Sequence, residues 1–243
     1  MSTLVDKYIQ DMAGLTILTV MATRVEYGDA LRGAGVRPFI IGVGPIQAAM
    51  NTTRILAGLE AETAMPDLIM NIGSAGSDKF AQGAILQVAS ITYRDMDAAP
   101  FGFATGVTPF SDYETPIIHV AAEIPGFAKA SISSGGNVVN QQGSAGVSFA
   151  DIDADMVDME TAAVQTVANE FDIPMIGLRG ISDGKEPTKG YETWTAALGM
   201  IDRALADVYQ KMARGLAAGE ITKQQLTAMP PEWHQVQAKR TKQ

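Results

Sequence analysis

The sequence predicts an α/β fold in which strands alternate with helices to build a largely parallel, helix-layered sheet. Three observations carry that expectation. Short apolar, β-branched runs of strand length recur along the chain. Segments with apolar residues at helical spacing separate them. A chain of 243 residues with a 47% apolar share can also bury one sizeable core, so a single domain over 1–243 is expected.

Element by element, Ser2 and Thr3 can cap a short first helix with Leu4, Val5, Tyr8, Ile9 and Met12 along one face. Leu15–Met21 is a β-branched run and reads as a strand. A charged helix over 24–31 follows, then a strand at Phe39, Ile40 and Ile41. Pro45, preorganised for a first helical turn, opens a helix over 45–59. Residues 68–71 make a buried strand, and 84–94 a longer one. Over 159–171, Ala162, Ala163, Val167 and Phe171 recur at helical spacing until Asp172-Ile173-Pro174 stops the helix. The apolar run 175–178 suits a buried strand. Residues 188–213 read mostly as helix, with Trp194, Leu198, Ile201, Leu205 and Tyr209 on a common face.

Composition excludes several classes of function. A net charge of −9 argues against nucleic acid, because phosphate backbones need clustered Lys and Arg. The one basic cluster, Lys239, Arg240 and Lys242, reads as a solvated tail. Without cysteine there is no disulfide and no thiolate metal site. His119 and His234 are too few and too far apart in sequence to support a zinc site or a histidine-based triad. The acidic set Asp151, Asp153, Asp155 and Asp158 lacks the loop glycine and closing glutamate of a calcium loop, so it reads as solvated. No metal and no cofactor are expected. No apolar run reaches membrane-spanning length and no basic-then-apolar leader is present, so a cytoplasmic protein is expected.

The chemistry-bearing stretch is Val157-Asp158-Met159-Glu160-Thr161-Ala162-Ala163-Val164, followed by Arg179-Gly180-Ile181-Ser182-Asp183. It places Glu160 at a helix start and Asp183 just past a strand end, where open α/β sheets collect ligands. Taken singly, Glu160 is explained by the helix dipole and Asp183 by a turn. Their order among further motifs changes the reading. Met21-Ala22-Thr23-Arg24-Val25-Glu26 follows the first long strand, and Gly42-Val43-Gly44-Pro45-Ile46-Gln47 makes a glycine turn into a helix. Asn71-Ile72-Gly73-Ser74-Ala75-Gly76 forms a small-residue loop. Tyr93-Arg94-Asp95-Met96-Asp97 then leads to Pro100-Phe101-Gly102-Phe103. In this order the segments resemble the nucleoside phosphorylase/nucleosidase superfamily, most closely its methylthioadenosine/adenosylhomocysteine nucleosidases. The resemblance runs over 15–183 and continues through a closing helix to about residue 213. Each motif alone is weak, and six in family order are strong.

The resemblance implies a three-layer α/β/α sandwich around a twisted mixed sheet; 215–243 leaves the family pattern and reads as a C-terminal extension, in which Pro230-Pro231-Glu232-Trp233 suggests an extended arm that docks or dangles. It also implies hydrolysis of the N-ribosidic bond of a purine nucleoside. Breaking that bond builds positive charge on the sugar and negative charge on the base, which calls for an acid, a carboxylate and a positioned water. By resemblance Asp183, with Ser182 beside it, is the acid toward the base, and burial should raise its pKa. Glu26 is the base for water, with Ser74 and Arg179 holding that water and Arg179 as the ion-pair partner of Glu26. Glu160 accepts from the ribose hydroxyls and Met159 packs beneath the sugar, although core filling is the commoner use of a methionine. Arg24 departs from the family's acidic run and reads as surface.

Two forks follow. Phosphorylases of this superfamily place an arginine where this chain has Asn71, and without a guanidinium a dianionic co-substrate is poorly held, so hydrolysis is favoured. The base-site segment, Ser134-Gly135-Gly136-Asn137-Val138-Val139-Asn140, has Gly136 in place of an aspartate and Val138 in place of a stacking aromatic. Losing that ring sacrifices about 1–3 kcal/mol of stacking, so adenine leads but other purines stay open. Val139 still offers its backbone to the base. The segment between Leu31 and Pro38 is short for the family and opens one rim of the pocket. Phe101 and Pro109 match residues that reach across a homodimer interface to cover the neighbour's 5′-substituent, with a local loop cluster as the other reading. A phosphate-dependent phosphorylase and a nucleoside-binding protein without turnover remain the alternatives.

Overall fold

The computed structural model describes residues 3–112, 114–139, 147–184 and 190–233. Ser2, Asn140, residues 188–189, His234 and the basic residues Lys239, Arg240 and Lys242 lie outside them. The strands, in chain order, are β1 (Ile9–Met12), β2 (Leu15–Met21), β3 (Phe39–Ile40), β4 (Leu68–Ser77) and β5 (Ile85–Tyr93). They continue as β6 (Ile118–His119), β7 (Lys129–Ser134), β8 (Met156–Asp158) and β9 (Met175–Gly184). The helices are α1 (Leu4–Tyr8), α2 (Asp29–Gly33), α3 (Pro45–Ala61), α4 (Thr161–Glu170), α5 (Tyr191–Ala218) and α6 (Lys223–Leu226).

Among the described residues these strands form one mixed sheet in the order β1-β2-β4-β8-β7-β5-β6, with β3 on β2. β9 pairs parallel with β4 and antiparallel with β5, so the pairings β4–β8–β7–β5–β9 close a ring. Side-chain alternation then feeds two cores, one on each face. Leu18, Val20, Ile69, Met175 and Ile181 pack with Ile55, Leu56 and Leu59 of α3 and Val164 and Ala168 of α4. On the other face Ile17, Leu68, Met70, Ile176 and Leu178 pack with Leu31 of α2 and Ile201, Leu205 and Tyr209 of α5. This is the expected helix–sheet–helix layering.

Three expectations need correction. Ile9 and Met12 do not continue the first helix. Thr3 and Asp6 form its capping box and it ends at Tyr8, after which Ile9–Met12 pairs antiparallel with β2. The buried polar residue Gln10, bonded to the Gly35 carbonyl and the Tyr209 hydroxyl, hides that strand's alternation in the sequence. The charged helix over 24–31 is two pieces, a 3₁₀ turn at Arg24–Glu26 and then α2. Asp202 of α5 divides them, its carboxylate accepting from the Gly28, Ala30 and Leu31 amides and so satisfying the free donors of a new helix start. The run 175–178 continues to Gly184, so Asp183 lies inside the end of a strand rather than past it.

The chain beyond residue 215 docks as far as it is described. Gly219 ends α5 in a left-handed conformation, and Thr222 caps α6. Leu226 and Trp233 are both buried. No described helix is long and apolar enough to cross a membrane.

Candidate active site

β4 is the shared wall of the site. Its register with β9 pairs Gly73 with Arg179 and, after a bulge, Gly76 with Asp183. Ser182 is the extra residue at that bulge, an irregularity that re-aims the side chains beyond it. Small residues let carboxylates lie against this strand. A Cβ on Gly73 would come within 3.3 Å of the Glu26 carboxylate, and one on Gly76 within 3.4 Å of Asp183 Oδ2.

Glu26 ends the 3₁₀ turn that Thr23 caps, and its side chain is buried. Its Oε1 accepts from the Ser74 amide at 2.8 Å and the Ser74 hydroxyl at 2.6 Å. Oε2 is buried and meets no hydrogen-bond partner among the described residues. Burial pushes the Glu26 pKa up, against the lowering pull of the Ser74 bonds and of the Arg179 charge. A cavity of about 470 Å³, lined by Val25, Gly28, Leu198, Asp202 and Arg203, borders the same residue. Nothing in the sequence marks Trp194 as part of this site, yet its indole Nε1 donates to Ser74 Oγ at 2.9 Å. The signal was hidden because position 194 also fits the apolar face of α5.

Arg179 is not the ion-pair partner of Glu26. Its guanidinium pairs with Asp158 at 2.9 Å, both side chains being 2% exposed. It also donates to Thr161 Oγ1 at 2.6 Å and to the Asn71 carbonyl at 2.9 Å. Asp158 completes the knot by accepting from the Thr161 amide and hydroxyl, so it is no solvated loop residue. Arg179 therefore acts on Glu26 through its charge alone. Two of the remaining acidic residues are also occupied: Asp155 binds Ser131 and Lys79, and Asp151 caps a turn with Ser148, while Asp153 is exposed. Among the described residues no group of acidic and histidine side chains could hold a metal ion.

Glu160 stands at the N-cap of α4 but does not cap it with its side chain. Its Oε1 instead accepts from the Gly44 amide at 2.7 Å, at the turn into α3 where Gly44 adopts φ +88°. Burial, and then the charge of Asp158, raise its pKa to about 7. Glu26 adds to that rise, which places the two carboxylates in one electrostatic site. Met159 beside it is half-buried and in neither large core. Asp183 has its pKa raised by burial, with the Ser182 hydroxyl bond opposing.

Arg94 holds the segment 133–137, which overlaps the one expected to meet the base. Its guanidinium donates to the carbonyls of Ser133 (2.7 Å), Asp158 (3.0 Å), Gly135 (2.9 Å) and Asn137 (2.6 Å). Asp95 accepts from the Gly136 amide. Val138 is 56% exposed, whereas Val139 is buried with Phe149 and Val157. Arg24 is exposed, as expected. The structure does not gather Phe101 and Pro109 with the carboxylates: they lie on the segment between β5 and β6, Phe101 being 86% exposed and Pro109 half-buried.

Comparison with known proteins fits this geometry. A sequence model of the phosphorylase superfamily matches residues 20–213. The 5′-methylthioadenosine/S-adenosylhomocysteine nucleosidase of Anoxybacillus flavithermus is 30% identical over 193 residues, covering 72% of this chain and 79% of that protein. The solved structure of the Helicobacter pylori 5′-methylthioadenosine/S-adenosyl homocysteine nucleosidase superposes with a TM-score of 0.66 at 19% identity, covering 82% of this chain and 98% of that one. The futalosine hydrolase of Helicobacter pylori gives a TM-score of 0.63 at 19% identity, covering 84% and 97%. At such identities these two structures establish the fold.

Proposed function

We propose that this chain, which belongs to the phosphorylase superfamily, hydrolyses the N-ribosidic bond of a purine nucleoside of the methylthioadenosine/adenosylhomocysteine type. The observation that carries the reading is Glu26. One oxygen is saturated by Ser74 and the other is buried and unoccupied, on a carboxylate made more basic by burial. That is the arrangement a general base for water requires. Water adds to C1′ and passes a proton to Glu26. The C–N bond breaks with its electron pair going to the base, and Asp183 supplies the proton that neutralises it. Base and free sugar result. Glu160, as a carboxylate, accepts from the ribose hydroxyls and faces the cationic sugar.

The occupancy of positions 71 and 179 supports hydrolysis over phosphorolysis. Position 71 is an asparagine, and the nearby guanidinium of Arg179 is taken up by Asp158, Thr161 and main-chain carbonyls. For the homodimer, the support is a set of exposed apolar side chains, Ile46, Phe101 and Phe110, and in this reading Phe101 and Pro109 would cover a partner's 5′-substituent. We read 1–243 as one nucleosidase domain with 215–243 as a C-terminal extension, which docks over its described part through Leu226 and Trp233.

The test is release of base from methylthioadenosine and other purine nucleosides in phosphate-free buffer. Full rate with free sugar as product is expected. Glu26→Gln should remove most of the rate while leaving substrate binding nearly intact, the pattern of an interaction made mainly in the transition state. Strict dependence on phosphate with sugar 1-phosphate as product would establish the phosphorylase alternative, and binding without turnover the silent one.

A further inference from the structure

Resting on the hydrolase reading above, we propose that Trp194 is a positioning residue for the general base, fixing through Ser74 the direction of the hydrogen bond that holds Glu26. The chemistry of the three groups decides the proton arrangement. An indole N–H can only donate, so at 2.9 Å Ser74 Oγ must be its acceptor. The one hydroxyl proton of Ser74 is then committed to Glu26 Oε1 at 2.6 Å, a charge-assisted bond to a carboxylate. The Ser74 amide adds a second donor to the same oxygen at 2.8 Å. Oε1 is therefore fully occupied, and Oε2 alone is left to take a proton from water.

Packing would not do this by itself. Glu26 borders the cavity lined by Val25, Leu198 and Asp202, so on that side no side chain presses it into place. The indole is steadied by Tyr191, whose ring centroid lies 5.5 Å away. Both aromatics belong to the start of α5, so this contact ties that helix end to the catalytic carboxylate. Without the indole, the Ser74 hydroxyl is free to rotate toward another acceptor, and donor polarisation along the chain is lost.

The experiment combines turnover with a signal that needs none. Trp194→Phe keeps an aromatic ring and removes only the donor. It should lower kcat about three- to tenfold with KM within about twofold, the size of one ordinary hydrogen bond. In a Ser74→Ala background the same change should have no further effect on kcat. Additive losses would mean that Trp194 acts through general packing, and an unchanged kcat in an active parent would overturn the proposal. The chain has only two tryptophans, so the indole N–H resonance of Trp194 is assigned by its loss in Trp194→Phe. That resonance should shift on Ser74→Ala and on Glu26→Gln. A resonance indifferent to both would refute the relay even in a chain with no nucleosidase turnover, whereas an inactive parent with a responsive resonance would leave the relay standing and fail only the hydrolase reading.

Discussion

Asp183 shows how much one residue's environment decides. A carboxyl that must hand a proton to a leaving base is useful only while protonated, and burial moves its pKa in the direction that keeps it so. The Ser182 bond works against this, favouring the charged form. Asp183→Asn preserves shape and hydrogen bonding but has no proton to give, so kcat should fall about 10²–10⁴-fold, the usual yield of a positioned acid. Steady-state turnover of the folded variant checks this, and an unchanged rate would remove Asp183 from the mechanism. At this scale the sequence singled out Glu26, Glu160 and Asp183 as candidates because each is a carboxylate at a fixed place in an ordered set of motifs, and all three prove to have pKa values raised by burial. It misassigned the partner of Arg179, because Asp158 stood among three other aspartates and nothing linear distinguishes a buried one.

Among the elements, several short ones escaped notice, although the two-residue β3 did not. Apolar runs such as Leu15–Met21 and the 45–59 helix were legible because each buries several large side chains. β6 has two residues and β8 three, while β7 carries Lys129 and three serines and only Ala130 and Ile132 as apolar residues, so none offers a long apolar run to read. The same limit hid Arg94, which anchors the loop leading out of β7. Gly135 is required there, since a Cβ would stand 2.6 Å from Arg94 Cγ. Arg94→Met should release four carbonyls and let residues 135–139 move. Because Val138 supplies no stacking ring, base affinity in the proposed site depends on that loop's backbone. KM should therefore rise about tenfold or more with a smaller change in kcat. Arg94→Lys should not restore it, for an ammonium cannot reach the four carbonyls that the planar fork spans. Substrate-saturation curves for both variants decide the point, and a loss confined to kcat would contradict it.

For the whole molecule, the site is a standing cost to stability, and its sign follows from the direction of the shifts. Glu26, Glu160 and Asp183 all have pKa values raised chiefly by burial. For Glu160 the folded value is about 7 against 4.5 for the free group. Between those pH values the native chain binds more protons than the unfolded one. Its contribution is thus fully present below about pH 4.5 and is lost as pH rises through about 7. Net self-repulsion of a chain with charge −9 acts in the same direction, so the parent's profile alone would not isolate this group. Glu160→Gln does isolate it, since the Gln oxygen can still accept from the Gly44 amide while the repulsion with Asp158 disappears. Relative to the parent, this variant should gain about 1–3 kcal/mol between pH 4.5 and 8, read from urea midpoints at several pH values. Parallel profiles would mean that Glu160 titrates as an ordinary carboxylate. A bound riboside should shrink the difference, because its hydroxyls would donate to the ionised Glu160 and not equally to the amide, returning to the parent what burial of the charge removed.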